Sequence, residues 1–264
     1  MTQQRFNRYV GIDYSGAETP TASLKGLRVY MAVAGGEPEE VLPPPSPRKY
    51  STRKGIAAWL VERLSEDVPT LIGIDHAFSF PLRYFHSHRL RLDWPEFLED
   101  FHEHWPTDHD DVYVRNVRDG SGKARMGDSH WKRLTDKRAK PAKSVFHFGV
   151  QGEVATSTHA GIPWLRVIRN QLGSRVHFWP FDGWDIPEGR STIAEVYPAL
   201  WSHAFSRNGR TDDQHAAFSV AAWMSRADRN RTLGAALHSR LADPDDIVAR
   251  VEGWILGADR PVAP

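Results

Sequence analysis

The sequence predicts an α/β fold in which a mixed β-sheet, an antiparallel hairpin plus parallel strands, is flanked by helices. The first observation is a repeated tetrapeptide, because Val10-Gly11-Ile12-Asp13 returns as Ile72-Gly73-Ile74-Asp75. Each copy ends a short, β-branched apolar run, which is the pattern of a buried strand. The second observation is that a hairpin pattern follows the first copy and a helical pattern precedes the second. This order predicts two neighbouring parallel strands in one sheet.

The first elements follow from local patterns. A strand over residues 9–13 is followed by an apolar strand over 27–34 and by Gly35-Gly36, a turn signal that predicts a short third strand near 41–42. A helix capped by Ser51 or Thr52 then runs to about Leu64, since its apolar residues recur on one helical face. The strand over residues 71–75 completes this half of the sheet.

The later elements are mainly helical. Residues 81–105 are rich in aromatic side chains and predict helix, and residues 108–143 have the character of an insertion. A helix over 160–172, capped by Ser157 or Thr158, precedes two strands over 175–180 and 192–196. Helices over 212–227 and 231–241 and an apolar segment at 253–256 end the pattern. We expect a single domain over residues 1–264, with an insertion at about 81–150.

The composition excludes several classes of protein. The 264 residues include no cysteine, which excludes disulfides and cysteine-ligated zinc. No apolar run approaches the length of a transmembrane helix, and the N-terminus lacks a signal-peptide pattern. No Walker loop, nucleophile elbow or HExxH motif occurs. We expect a soluble, cytoplasmic protein with no membrane partner; its formal net charge of +1 favours no polyanion by itself.

Acidic residues end the predicted strands. Asp13 and Asp75 follow the repeated apolar runs, and Glu195 lies near the end of the strand over 192–196. Asp213 begins a helix and shares its apolar face, with Ala217 next on that face. The carboxyl ends of parallel strands share one rim, which is where open α/β sheets bind ligands. Because adjacent carboxylates repel unless a cation or proton lies between them, these four acids predict a Mg²⁺ or Mn²⁺ site.

Each acid also has a purely structural explanation. Asp commonly turns the chain at a strand end, Glu195 can face water on an edge strand, and Asp213 can cap its helix. Repetition of the whole tetrapeptide favours the metal site for Asp13 and Asp75, whereas both explanations stay open for the other two acids. His215 can transfer a proton at neutral pH, although a histidine beside a helical acid is commonly a polar surface residue.

The predicted insertion is basic. Residues 115–143 contain ten Lys or Arg and three Asp, which gives a net charge of +7. Such a run can hold phosphates, and an aromatic residue within it can stack on an unpaired base. The candidate nucleic-acid contacts are Arg115, Arg118, Lys123, Arg125, Trp131, Lys132, Arg133, Lys137 and Arg138. The alternative is a mobile, solvated loop whose charges pair with the acidic residues at 108–111.

Three histidines lie among acidic residues at the end of the aromatic-rich segment. His102 and His104 are two positions apart and therefore do not share a helical face, and His109 follows in the next segment. The sequence does not predict a zinc site there.

The order of these motifs resembles domain-of-unknown-function family 429. The resemblance spans residues 9–256 and is carried by Gly11-Ile12-Asp13, Gly73-Ile74-Asp75-His76-Ala77-Phe78-Ser79-Phe80-Pro81, Glu195-Val196-Tyr197-Pro198, Asp213-Gln214-His215 and Glu252-Gly253-Trp254-Ile255. It implies an RNase H-like fold and a metal-dependent nuclease or related phosphoryl-transfer enzyme. The matching acids are Asp13, Asp75, Glu195 and Asp213. One departure is Ala216, where the resemblance leads us to expect a further acid.

The leading functional expectation is hydrolysis of nucleic-acid phosphodiesters with Mg²⁺ or Mn²⁺. A second possibility is an ATP-dependent phosphotransferase of the actin and sugar-kinase type, which also begins Gly-Ile-Asp and would use residues 14–19 as a phosphate-binding turn. Those kinases enclose ATP between two domains, which counts against this possibility. A third is a non-catalytic nucleic-acid-binding protein whose metal site has decayed, as Ala216 allows. The sequence does not predict the oligomeric state.

Overall fold

Within the described part of the chain, the central sheet has six strands and both strand directions. The computed structural model describes residues 4–43, 48–120, 123–139, 142–238 and 241–259. The strands are β1 (Arg8–Asp13), β2 (Arg28–Val33), β3 (Glu39–Glu40), β4 (Thr70–Asp75), β5 (Val176–Trp179) and β6 (Ser191–Glu195). They lie in the order β3-β2-β1-β4-β6-β5. Because β2 is antiparallel to β1 and β3 while β1, β4, β6 and β5 are parallel, the expected mixed α/β sheet is confirmed.

Helices cover both faces of this sheet. They are α1 (Arg53–Ser65), α2 (Leu82–His88), α3 (Trp94–His104), α4 (Val114–Asp119), α5 (Leu134–Arg138), α6 (Ala155–Leu172), α7 (Asp212–Arg229), α8 (Leu233–Leu237) and α9 (Asp245–Glu252). Helix α7 packs on β1 and β2, while α1 and α6 pack together over the opposite face and α3 lies against α6. The sheet is therefore a buried layer whose carboxyl-end rim stays accessible between helices.

No helix within the described ranges is long and apolar enough to cross a membrane.

Several boundaries differ from the expected ones. The pattern over residues 81–105 divides into α2 and α3, because Arg89 adopts a left-handed conformation (φ 56°) and Asp93 caps α3 through the backbone N–H of Glu96. Helix α6 begins at Ala155 instead of residue 160, since the carboxylate of Glu153 accepts the N–H of Thr156. The expected helix over 231–241 is shorter, and its residues 239–240 lie outside the described residues. The sequence pattern missed α9.

The repeated tetrapeptide defines the register of the two central strands. Strand β1 pairs with β4 so that Gly11 lies opposite Gly73 and Asp13 opposite Asp75. A Cβ atom on Gly11 would lie 2.2 Å from the carbonyl oxygen of Ala217, in the backbone of α7. The glycines therefore allow α7 to approach the sheet closely, and the N-terminal end of α7 brings Asp213 to the rim.

The loop after β1 is held by a buried arginine. The guanidinium of Arg53, which is fully shielded from solvent, donates hydrogen bonds to the carbonyls of Ser15, Ala17 and Glu18. A Cβ on Gly16 would meet the carbonyl oxygen of Thr156 at 2.2 Å, so this loop also packs directly on the start of α6. These contacts fix the chain immediately beyond Asp13.

Replacement of Gly11 by alanine should destabilise the protein by about 1–3 kcal/mol or more, because the added methyl group must displace the backbone of α7. Gly234 is the matched control: it lies within α8, and a Cβ there meets no atom within 4 Å. Gly234→Ala should be neutral or stabilising, since alanine favours helix. Urea denaturation of both variants checks the prediction, and equal stability of the two would contradict the close packing of α7 on β1.

Candidate functional site

A cavity of about 310 Å³ opens at the carboxyl ends of the parallel strands. Its walls include the predicted acids Asp13, Asp75 and Glu195, together with the cationic side chains of Arg133 and Lys143. Three of the four expected acids therefore lie around one space, at the rim where the strand pattern placed them. The cavity is at the small end of the volumes that bind small ligands.

Asp13 and Asp75 form the centre of this site. They are direct partners in the parallel register, so their side chains leave the sheet on the same face. Among the described residues, none donates a hydrogen bond to either carboxylate. Two carboxylates thus lie side by side without a compensating donor, which is an arrangement that a cation or a shared proton stabilises.

The pKa values of both aspartates are raised. Burial raises the pKa of Asp75 to about 7, and the nearby charge of Glu195 adds to the effect. Burial also raises the pKa of Asp13 well above its ordinary range, with further repulsion from Asp75 and Asp213. At neutral pH the pair therefore has a strong preference for a bound positive charge. Hard divalent cations with oxygen ligands fit this donor set.

Asp213 lies at the edge of the pair. The cap of α7 is Thr211, whose hydroxyl accepts the backbone N–H of Gln214, so Asp213 is not needed for capping. Burial raises the pKa of Asp213, although Arg28 and Lys25 lower it. Asp213 is near enough to repel Asp13, but it is not among the residues that line the cavity.

Glu195 is buried and already carries its own cation. Strand β6 lies between β4 and β5, so the edge-strand explanation for Glu195 is wrong. Glu195 pairs with Ile74 instead of Asp75 and points to the other face of the sheet. Its Oε1 and Oε2 accept hydrogen bonds from Nη2 and Nη1 of Arg133 at 2.6 and 2.7 Å. This bidentate pair leaves Glu195 less free than the two aspartates to bind a metal.

Arg133 is buried, whereas a side chain that contacts nucleic-acid phosphates would lie at the surface. Only 2% of Arg133 is exposed, and its Nη2 also donates to Asp136 at 2.8 Å. Its Nη1 donates to the backbone carbonyl of Glu252 at the end of α9. Arg133 is therefore a buried link between β6, α5 and α9 that forms one wall of the cavity, because two buried carboxylates require a cation there.

The other candidate nucleic-acid contacts are mostly engaged within the protein. Arg115 and Arg118 pair with Asp119, Arg125 pairs with Asp100, and Arg138 pairs with Asp245 and Asp259. The guanidinium carbon of Arg83 lies 5.1 Å from the ring centroid of Trp131, and the Trp131 ring packs edge-on against Phe146. Lys123, Lys132 and Lys137 are exposed, and Nζ of Lys132 donates to the carbonyl of Ala142.

The structure of this stretch also differs from that of a solvated loop. Helices α4 and α5 lie within it, and Val114, Thr135 and Ala139 are buried. Residues 121–122 and 140–141 lie outside the described part of the chain. The alternative explanation paired the acidic residues at 108–111 with the basic stretch. Asp110 instead pairs with Lys54 of α1, at 2.7 Å.

The structure does not bring His215 to the cavity. It is not among the residues that line the cavity, its Nε2 lies 3.0 Å from the carbonyl oxygen of Ser202, and the residue is only 8% exposed. His215 is therefore neither a neighbour of the acids that line the cavity nor the exposed surface residue of the alternative explanation.

The structure adds site residues that sequence reasoning missed. Tyr14 and His76 line the cavity directly after Asp13 and Asp75, and their rings make an edge contact with centroids 4.6 Å apart. Burial lowers the pKa of His76 to about 4, so this imidazole is neutral at pH 7. Position immediately after the repeated tetrapeptide was the signal that could have identified both residues. Lys143 and Tyr197 also line the cavity, as do the acids Asp136 and Glu153, and none of these four was expected as a site residue.

Asp75→Asn should stabilise the metal-free protein at pH 8 by on the order of 2 kcal/mol, because it removes a charge that burial disfavours. The pKa of Asp75 is raised from 3.8 to about 7, so the folded state binds the proton more tightly than the unfolded state does. Wild-type stability should therefore fall as the pH rises from 3.8 towards 7, and the advantage of the variant should grow over the same interval.

The measurement is urea denaturation in EDTA between pH 4 and 8. Asp67→Asn is the matched control, since Asp67 is exposed and precedes β4 at the opposite end of the strand. The control should follow the wild-type pH profile. An Asp75→Asn protein that is less stable than the wild type at pH 8 would contradict the electrostatic account of the pair.

The chain matches no protein-family profile, no curated protein and no solved structure. The resemblance to domain-of-unknown-function family 429 therefore stays a prediction, and the case for function depends on the geometry of the acidic cavity.

Proposed function

We propose that this protein is a metal-dependent nuclease, which hydrolyses nucleic-acid phosphodiesters with Mg²⁺ or Mn²⁺ held by Asp13 and Asp75. The observation that carries the proposal is the in-register pairing of these two carboxylates on one face of the sheet, with the pKa of each raised by burial and by neighbouring acids. When bound, such an ion polarises the phosphoryl group and activates water for attack.

The donor set supports this choice of metal. Asp13 and Asp75 offer carboxylate oxygens that no described residue engages by a hydrogen bond, and Asp213 adds a third acid beside Asp13. All three are hard oxygen donors, which Mg²⁺ and Mn²⁺ prefer. We assign the metal to Asp13 and Asp75, and Asp213 adds negative charge beside Asp13.

Glu195 has a supporting role in this proposal. Both of its oxygens accept hydrogen bonds from Arg133, so it orients that guanidinium at the cavity wall and adds negative charge beside Asp75. Ala216 is then less damaging than the family resemblance implied, because the proposed ligands do not include that position.

A lysine in the cavity wall and exposed lysines elsewhere in the basic stretch support a phosphate-containing substrate. Lys143 lines the cavity, and its ammonium group donates to the carbonyl of Gln151, which holds the charge near the acids. The exposed Lys123, Lys132 and Lys137 belong to the basic stretch of residues 115–143. Since phosphate contacts of this kind are screened by salt, we expect substrate binding to weaken as the salt concentration rises.

An RNase H-like fold is part of the same proposal. The hairpin formed by β1 and β2, with β4 parallel to β1 on the other side, agrees with the mixed sheet that the family resemblance implied. In such an arrangement the acids at the ends of the central strands are the natural metal ligands.

Cleavage of single- and double-stranded DNA and RNA in the presence of Mn²⁺ tests the proposal. The wild type should cleave at least one of these substrates, and Asp13→Asn combined with Asp75→Asn should lower the rate by about 100-fold or more, as removal of a transition-state contact does. Asp67→Asn should retain wild-type activity, because Asp67 lies at the other end of β4.

Two results would overturn this proposal. One is cleavage at the wild-type rate by the doubly substituted protein. The other is a folded wild type that cleaves none of the four substrates and gains no thermal stability from Mn²⁺, since binding at 100 times the dissociation constant adds about 2.7 kcal/mol.

A further inference from the structure

We propose that His102, Asp108 and His109 form a second metal site, distinct from the acidic cavity, which binds Zn²⁺ or a related late first-row divalent cation. Each residue offers one ligand atom, and these three atoms all lie within 4.8 Å of one another. None of the three residues lines the cavity that contains Asp13 and Asp75. The site therefore does not depend on the nuclease proposal.

The turn after α3 brings these residues together. His102 lies in the last turn of α3, and the chain then reverses through backbone hydrogen bonds from His109 to Pro106 and from Val112 to His109. The buried hydroxyl of Thr107 donates to the carbonyl of His159 in α6 at 2.6 Å, which anchors the turn. His104 is closer in sequence to Asp108 than His102 is, but it is not part of the cluster. Its Nδ1 lies 2.8 Å from the carbonyl oxygen of Asp100.

The geometry inside the cluster points to a shared ion. Nδ1 of His102 lies 3.1 Å from Oδ1 of Asp108. Both atoms are shielded from solvent, and neither makes a hydrogen bond of acceptable geometry within the described residues. Two ligands of one tetrahedral Zn²⁺, with bonds of about 2.0–2.1 Å, are separated by about 3.4 Å. The two buried atoms are thus spaced as ligands of one ion and misaligned as a hydrogen-bonded pair.

The third ligand comes from the solvent side. The rings of His102 and His109 lie with their centroids 5.6 Å apart and their planes at 73°. His109 is exposed, so an ion can enter from solvent and a water molecule can complete four-coordination. Bound metal would fasten the end of α3 to the segment that leads into α4.

The ligand chemistry separates this site from the acidic cavity. Two imidazoles and one carboxylate favour Zn²⁺, Co²⁺ or Ni²⁺, whereas the oxygen donors of Asp13 and Asp75 favour Mg²⁺ or Mn²⁺. A Co²⁺ probe distinguishes the two, because a four-coordinate site with nitrogen donors absorbs visible light far more strongly than an octahedral oxygen site.

The experiment is a Co²⁺ titration of the full-length protein followed by visible absorption, with displacement by Zn²⁺. The wild type should show intense four-coordinate bands that saturate at one equivalent. Separate His109→Asn and Asp108→Asn variants should weaken binding on the order of 10- to 100-fold, the loss that even an outer-shell partner causes. His109→Asn is the cleaner variant, since the exposed position does not threaten folding.

His130→Asn is the matched control. His130 is exposed and lies 2.8 Å from Asp128, so it reproduces a histidine-aspartate contact without a third ligand. The affinity of His130→Asn for Co²⁺ should equal that of the wild type. The protein with both Asp13→Asn and Asp75→Asn should also bind Co²⁺ at this site with wild-type affinity. The proposal is overturned if the wild type shows no four-coordinate band. It is equally overturned if His109→Asn binds like the control, or if binding is lost only when the two aspartates are replaced.

Discussion

The parallel register of β1 against β4 is the constraint on which the rest of the structure depends. It places Gly11 beside Gly73 and Asp13 beside Asp75. At the paired glycines, α7 can lie directly against the sheet. Two residues further along the strands, the paired aspartates form the accessible rim. A slip of one residue would turn the acids to opposite faces of the sheet. Packing of the core and assembly of the acidic site therefore have the same cause.

The acids that line the cavity have two different electrostatic environments. Glu195 receives an internal cation, because Arg133 binds both of its oxygens and also reaches Asp136. Asp13 and Asp75 receive no comparable donor from the described residues, and burial raises the pKa of both. A chain that supplies a buried arginine to one acid and none to the adjacent pair has the electrostatics expected of a cation-binding site.

The central strands and the aspartate pair could be predicted because their signals are local. Apolar runs and the repeated tetrapeptide identify β1 and β4, and the helical spacing of Asp213 and Ala217 identifies the face of α7 that meets the sheet. The role of Arg133 could not be predicted, since its partner Glu195 is 62 positions away and the surrounding sequence has the composition of an exposed basic loop.

Other features depend on tertiary contacts that leave no periodic signal. The start of α6 follows from the carboxylate of Glu153, and the approach of His109 to His102 follows from a turn anchored on α6 by Thr107. The edge-strand explanation for Glu195 was wrong for the same reason. Strand β5 precedes β6 in sequence but occupies the edge of the sheet, so that β6 lies between β4 and β5.

The most direct test of the central claim is a Mn²⁺ binding titration in which the free ion is followed by electron paramagnetic resonance. We expect the wild type to bind Mn²⁺ at pH 8 and to lose affinity as the pH falls through about 7, where Asp75 becomes protonated. Asp75→Asn should abolish this binding at every pH. Wild-type affinity that is independent of pH and unchanged in Asp75→Asn would contradict the assignment of the paired aspartates as a metal site.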